Sequence, residues 1–239
     1  AFNADGVETT YTALGSTKTR AFAPINPRHS FNSPSSISWG WDIASDNPPS
    51  AEHLAVDETA ATGWVAGGTT FLAGAKAANT RYTLTVKARN AALVESNTVS
   101  TAAYSSIQTP TGVGFEGIWA GSVSLRALGT LDNIGAGASG ARFTNETLSA
   151  DSPWIAAATY SWVNLSSNTL YSFKTWARNG DADETAQTAS SSTYTDLNAP
   201  LAGELTLTAA SSTQLTLTLQ APPNPALLAT GSEFTATEG

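Results

Sequence analysis

Cysteine, histidine and paired carboxylates carry much of protein chemistry, and this chain of 239 residues is poor in all three. It has no cysteine and only two histidines, His29 and His53. Disulfides, thiolate metal sites and cysteine nucleophiles are therefore excluded, and histidine chemistry has little material. Asp57 and Glu58 are neighbours on a predicted strand, so their side chains leave opposite faces and do not share one cleft as a catalytic pair must. No Gly-x-Ser-x-Gly elbow occurs, and neither histidine sits in a recognisable triad context. Gly135-Ala136-Gly137-Ala138-Ser139-Gly140 matches the dinucleotide fingerprint letter for letter. That motif needs a helix after it, whereas Ala141 to Thr147 reads as a strand, which leaves a glycine-rich loop. Asp181, Asp183 and Glu184 share one predicted turn, and Asp42 and Asp46 share another. Such turns can hold calcium weakly, but the EF-hand spacing is absent and acidic turns also serve solubility. The expectation is a chain that is not an enzyme, with no cofactor and no metal site.

Composition narrows the class further. Hydrophobic residues make up 41% of the chain and include seven Trp, six Tyr and eight Phe, enough for a packed core. Charged residues make up only 13%, while Ser and Thr together number 61, so hydroxyls and backbone must solvate much of the surface. The net charge is −8, with four Lys and seven Arg thinly spread, which argues against nucleic acid as a partner. No apolar run is long enough for a membrane span, so membrane insertion is not expected. There is no Met and no signal peptide, which reads as a processed product, an excised piece or an internal window.

The elements that would position any site repeat along the chain. Asn3, Asn90 and Asn179 recur at spacings of 87 and 89, and Glu8, Glu95 and Glu184 recur at the same spacings. Each pair is followed by an extended Ser/Thr-rich run, over 9–19, 96–106 and 185–195, and then by Pro24, Pro110 or Pro200. Asn79-Thr80-Arg81-Tyr82 and Asn168-Thr169-Leu170-Tyr171 each open an alternating run that ends in Ala-Arg-Asn. Period-2 alternation of this kind predicts half-buried strands, most cleanly at Tyr82, Leu84, Val86 and Ala88. A looser third mark is shared by Glu58, Glu146 and Glu238, preceded by alternating runs over 37–41, 123–127 and 215–219. No sustained helical period occurs.

A period near 88 suits a seven-stranded sandwich. Asn-Thr-x-Tyr entering an alternating strand closed by Ala-Arg-Asn resembles the tyrosine corner and penultimate strand of fibronectin type III modules. Ser36-Ile37-Ser38-Trp39 resembles that family's second strand, whose tryptophan fills the core. The likeness is closest to repeats of large bacterial surface proteins. It implies an all-β fold of tandem immunoglobulin-like, fibronectin type III-like β-sandwiches. Tyr82, Tyr171, Trp39, Asn79 and Asn168 are then corner and core residues, and each Tyr buries its ring and hydrogen-bonds nearby backbone. Leu125 and Leu217 stand where the first module has Trp39. Leu165 holds the leucine usual three residues before the corner Asn, where the first module has Lys76.

The predicted organisation is 1–24 as the last strand of a preceding module, two modules at 25–109 and 110–199, and 200–239 as the first strands of an incomplete one. Both ends then fall inside modules, completed by a longer chain or by strands from neighbouring copies. The resemblance implies a non-catalytic structural or adhesive segment of a secreted or cell-surface repeat protein, within an extracellular fibre in one version. The alternative is a spacer in a secreted polysaccharide-degrading enzyme. Expected partners are neighbouring modules, other copies of the chain and carbohydrate. Trp41, Trp64, Trp119, Trp154, Trp162 and Trp176 exceed what two cores require, and either pack at junctions or form an exposed aromatic strip. Asn145 and Asn164 fit the N-glycan acceptor pattern.

Overall fold

The computed structural model describes residues 1–10, 13, 15, 18–199, 205–211 and 214–219. Among them there is no helix, and none is long and apolar enough to cross a membrane. Alternating apolar and polar residues can bury one face of a strand only by pairing two sheets, and the chain does so twice.

The first sandwich pairs a three-stranded sheet with a four-stranded one. Strands β1 (Ile25–Ser33), β2 (Ser36–Asp42) and β5 (Thr70–Ala73) run in the order β1-β2-β5. Strands β3 (Glu52–Val56), β4 (Ala61–Ala66), β6 (Arg81–Arg89) and β7 (Val99–Tyr104) run in the order β4-β3-β6-β7. The core between them contains Ile37, Trp39, Trp41, Ala55, Ala73, Tyr82, Leu84, Val86 and Ala103. The alternation predicted over β6 is complete, with Tyr82, Leu84, Val86 and Ala88 buried and the residues between them turned outward.

The second sandwich repeats this order. Strands β8 (Gly112–Trp119), β9 (Ser122–Leu128) and β12 (Thr159–Val163) form one sheet, ordered β12-β9-β8. Strands β10 (Gly140–Asn145), β11 (Ala150–Asp151), β13 (Leu170–Arg178) and β14 (Ser191–Tyr194) form the other, ordered β11-β10-β13-β14. Its core contains Val123, Leu125, Phe143, Tyr171 and Phe173, with Phe115 and Tyr160 packed at its margin. In both sandwiches the short fourth strand joins the sheet of the third and sixth strands. Each sandwich thus has seven strands, three set against four, in keeping with the period near 88.

By packing, the chain divides into two compact units. The first comprises Ala1–Asn32, Ser36–Lys76 and Tyr82–Ala103; the second comprises Ser33–Ser35, Ala77–Arg81 and Tyr104–Gly239. Within 1–24, the described residues hold one isolated bridge, Phe2 to Glu8. Beyond the second sandwich, β15 (Leu205–Ser211) and β16 (Gln214–Leu219) pair as an antiparallel hairpin. Pro200, the Glu238 mark and part of the 9–19 run lie outside the described residues.

One core residue is chemically out of place. His53 on β3 is 1% exposed, and neither ring nitrogen has a hydrogen-bond partner. Burial favours the neutral imidazole and lowers its pKa below the ordinary 6.5. The unfolded chain then binds the proton more readily than the folded one, so this residue's share of stability is present above pH 6.5 and lost as pH falls below it. An NMR titration should place the His53 midpoint below 6.5, and His53→Leu should flatten the acid side of the urea-midpoint profile. A midpoint at or above 6.5 would contradict the buried neutral ring.

Candidate functional site

The residues that mark the repeat build one turn three times. Asn3, Asn90 and Asn179 each follow the first residue of a backbone bridge, Phe2 to Glu8, Arg89 to Glu95 and Arg178 to Glu184. In each copy the asparagine Oδ1 accepts N–H groups two and four residues on. The distances are 3.0 and 2.9 Å at Asn3, 2.9 and 3.0 Å at Asn90, and 3.1 and 2.8 Å at Asn179. The residue three beyond each asparagine has a left-handed backbone: Gly6 (φ 78°), Leu93 (φ 63°) and Ala182 (φ 71°). The side-chain amide reaches the segment entering the module: Asn90 Nδ2 donates to Thr19 O at 2.5 Å, within the first unit. Asn179 Nδ2 donates to Ser105 O at 3.4 Å, within the second.

The corner residues have equally specific places. Trp39 is fully buried, Tyr82 is 9% exposed and Tyr171 is 3% exposed. The Tyr171 hydroxyl accepts the Ser166 N–H at 2.9 Å, the backward bond of a tyrosine corner. Asn79 (φ 47°) and Asn168 (φ 48°) both adopt the left-handed conformation that asparagine tolerates better than most residues. Within the second unit, Asn79 Nδ2 donates to Asn133 O at 2.7 Å, and its Oδ1 accepts the Gly180 N–H at 2.9 Å.

Each acidic side chain of the turn accepts a hydrogen bond. Asp181 accepts the Tyr104 N–H at 2.6 Å, Asp183 accepts the Asn179 amide at 3.2 Å, and Glu184 accepts the Trp176 indole N–H at 3.0 Å. In the other turn, Asp42 pairs with Arg28 at 2.9 Å. Hydrogen bonds from Asn26 and Arg28 hold its carboxyl below the usual range. The loop Gly135–Gly140 runs directly into β10, without a helix. Of the two glycan acceptor asparagines, Asn145 is wholly buried and Asn164 is exposed.

The tryptophans do not share one arrangement. Trp41 belongs to the first core, and Trp162 packs against the second. Trp64 lies on the outer face of its sheet with Arg89 at 4.3 Å and Lys87 at 5.5 Å from the ring centre. Trp154 and Trp176 meet edge to face at 5.8 Å. Arg178 lies 4.5 Å from the Trp154 centre, and Arg142 lies 5.6 Å from the Trp176 centre. Cations thus cover the ring faces that a sugar would stack on. Trp119 is 54% exposed, but its indole lies across Gly117, where an added Cβ would come 2.1 Å from the ring.

The most enclosed ion pair among the described residues is not marked by sequence spacing. Asp57 and Lys76 each have a side chain 0% exposed, with Lys76 Nζ 2.6 Å from Asp57 Oδ2. Trp39 Nε1 donates to the same oxygen at 3.0 Å. The other oxygen, Oδ1, accepts the Thr59 N–H and hydroxyl at 2.9 Å each and the Ala60 N–H at 3.0 Å. Lys76 Nζ also donates to the Thr59 hydroxyl at 2.5 Å and sits 4.1 Å from the centre of the Tyr82 ring. Burial raises the Asp57 pKa, but the bonds from Lys76, Thr59 and Trp39 outweigh it and hold the carboxyl below its usual value. Glu58 points elsewhere and accepts the Thr83 N–H at 2.9 Å.

The corner and turn make three outcomes measurable in denaturant melts. Tyr171→Phe should cost about 1 kcal/mol through the lost bond to Ser166. Asn179→Ala should cost about 2 kcal/mol, since two N–H groups lose their acceptor. Ala182→Gly should leave the second module unchanged or up to about 1 kcal/mol more stable, because strain relief offsets glycine's entropy. A loss of stability in that last variant would contradict the left-handed turn.

No protein-family model matches the chain, and no curated protein matches it. Among solved structures, a two-domain fibronectin type III segment of chicken tenascin is similar at 15% identity and a TM-score of 0.46, covering 72% of this chain and 99% of that one. The first to third fibronectin domains of chicken contactin 1 are similar at 13% identity and a TM-score of 0.35, covering 82% of this chain and 75% of that one. Strand order, two separate cores and the corner tyrosine define the fold directly: the chain is a tandem of fibronectin type III-like β-sandwiches.

Proposed function

We propose that this chain is a non-catalytic run of spacer modules in a secreted or cell-surface protein, with a structural or adhesive role. The observation that carries this reading is the repeated asparagine, which closes the sixth-to-seventh-strand hairpin of each sandwich and holds the segment leading into it. A module whose entering chain is bonded to its own hairpin transmits position and tension along the polypeptide. A free linker would decouple them.

The polar side chains point the same way. Asp181 and Glu58 each accept a backbone N–H, and Asp183 and Glu184 accept side-chain N–H groups of their own hairpin. The cation-covered tryptophans favour a folding role over a sugar platform. The test is single-molecule pulling of the full chain, with hydrolase assays on ester, peptide and glycoside substrates. Two separate unfolding peaks are expected, each releasing on the order of 28 nm of chain from roughly 80 residues, with no turnover. Smooth extension without peaks, or turnover abolished by a point substitution, would overturn the reading. Tight binding to one polysaccharide would move the assignment to the accessory region of a carbohydrate-active enzyme.

A further inference from the structure

The two sandwiches differ at one place as a group. Where the first has Trp39, Asp57 and Lys76, the second has Leu125, Asn145 and Leu165. The corner tyrosine and the following threonine persist in both, as Tyr82 with Thr59 and Tyr171 with Thr147. In the second sandwich Asn145 keeps one part of the arrangement, since its Oδ1 accepts the Leu148 N–H at 3.1 Å. Its buried Nδ2 has no partner. The fold therefore does not need an ion pair at this point, and the second sandwich closes without one.

An ion pair withdrawn from water is costly, and apolar replacements are often no worse for stability. The first sandwich nevertheless holds a lysine and an aspartate 2.6 Å apart with both side chains fully enclosed. We propose that this centre is a site of spontaneous covalent modification, in which the Lys76 amine and the Asp57 carboxyl condense to an intramolecular amide. The ammonium passes one proton to Oδ2 across their hydrogen bond, giving a neutral amine beside a neutral acid. The Nζ lone pair then attacks Cγ, forming the N–C bond. The Cγ–Oδ2 bond breaks, and Oδ2 leaves as water with the transferred proton and a second proton from Nζ. One ammonium and one carboxylate thus become one amide and one water, with no oxidant, reductant or activating group needed.

The surroundings fit each stage. During attack the negative charge develops on Oδ1, which already accepts the N–H groups of Thr59 at 2.9 Å and Ala60 at 3.0 Å. Trp39 Nε1 donates to the departing oxygen, Oδ2, at 3.0 Å. Thr59 Oγ1 at 2.5 Å and the Tyr82 ring at 4.1 Å hold the amine in place. Fixing two reactants in this way replaces a bimolecular encounter by an effective molarity on the order of 10⁵ M or more. Condensation also removes both buried charges, and exclusion of water disfavours the reverse reaction. The product would staple the end of β3 to the loop before β6, in a chain that has no cysteine for a disulfide.

The test is the intact mass of the purified full chain under denaturing conditions, followed by peptide mapping. The expected mass is lower than the sequence mass by one water, with a branched peptide joining the segments around Asp57 and Lys76. The double variant Asp57→Asn with Lys76→Leu, which copies the arrangement of the second sandwich, should fold and show its full sequence mass. Folded wild-type protein that keeps its full mass after prolonged warm incubation would overturn the proposal, leaving an ion pair only. A water loss that persists in the double variant, or that maps to Asp5-Gly6 as a cyclic imide, would overturn it as well.

Discussion

One asparagine side chain, accepting two backbone N–H groups, is the constraint on which each module rests. The hairpin joining the sixth and seventh strands makes some backbone bonds of its own but leaves two N–H groups in each turn to a side-chain acceptor. Asn90 and Asn179 supply the missing acceptor, and their amide groups reach back to the chain entering the module. Ser96 and Thr185 finish the closure, each exchanging bonds with Ala88 or Ala177 on the strand. With 13% charged residues and no cysteine, the chain relies heavily on amides and hydroxyls for such closures.

Much of this was legible in the sequence because the same physical requirement appears at a fixed period. The Asn and Glu marks recur since the same turn and bridge recur, and the β6 alternation is visible because every second residue faces a core. The second copy reads less cleanly after Phe173. There Thr175 is buried on the core side and Trp176, on the opposite face, is buried as well against Trp154 and Arg142, so polarity no longer tracks burial. The tryptophans were ambiguous for a related reason. Whether an indole faces a core or a guanidinium depends on which strand lies opposite, and spacing along one strand does not encode that.

The lysine–aspartate centre was invisible for a different reason. Lys76 stood out only as a departure from an expected leucine, and Asp57 only as half of a pair with Glu58. Nineteen residues separate the partners, and they meet because the chain crosses between sheets before β6. Comparison of the two modules recovers the signal, since Trp39, Asp57 and Lys76 are exchanged together for Leu125, Asn145 and Leu165. Single positions look like drift, whereas three that touch one another look like one chemical unit.

The Asn179-Gly180 pair adds a consequence for longevity. Asparagine followed by glycine is the sequence most prone to slow chemical ageing, in which the glycine nitrogen attacks the side-chain amide carbon and ammonia departs. Here the Gly180 N–H is held by Asn79 at 2.9 Å, and the Asn179 side-chain oxygen is held by the N–H groups of Asp181 and Asp183. The nucleophile is engaged and the electrophile cannot swing toward it. The folded hairpin therefore acts as its own preservative, and the clock of deamidation runs only in molecules that have opened.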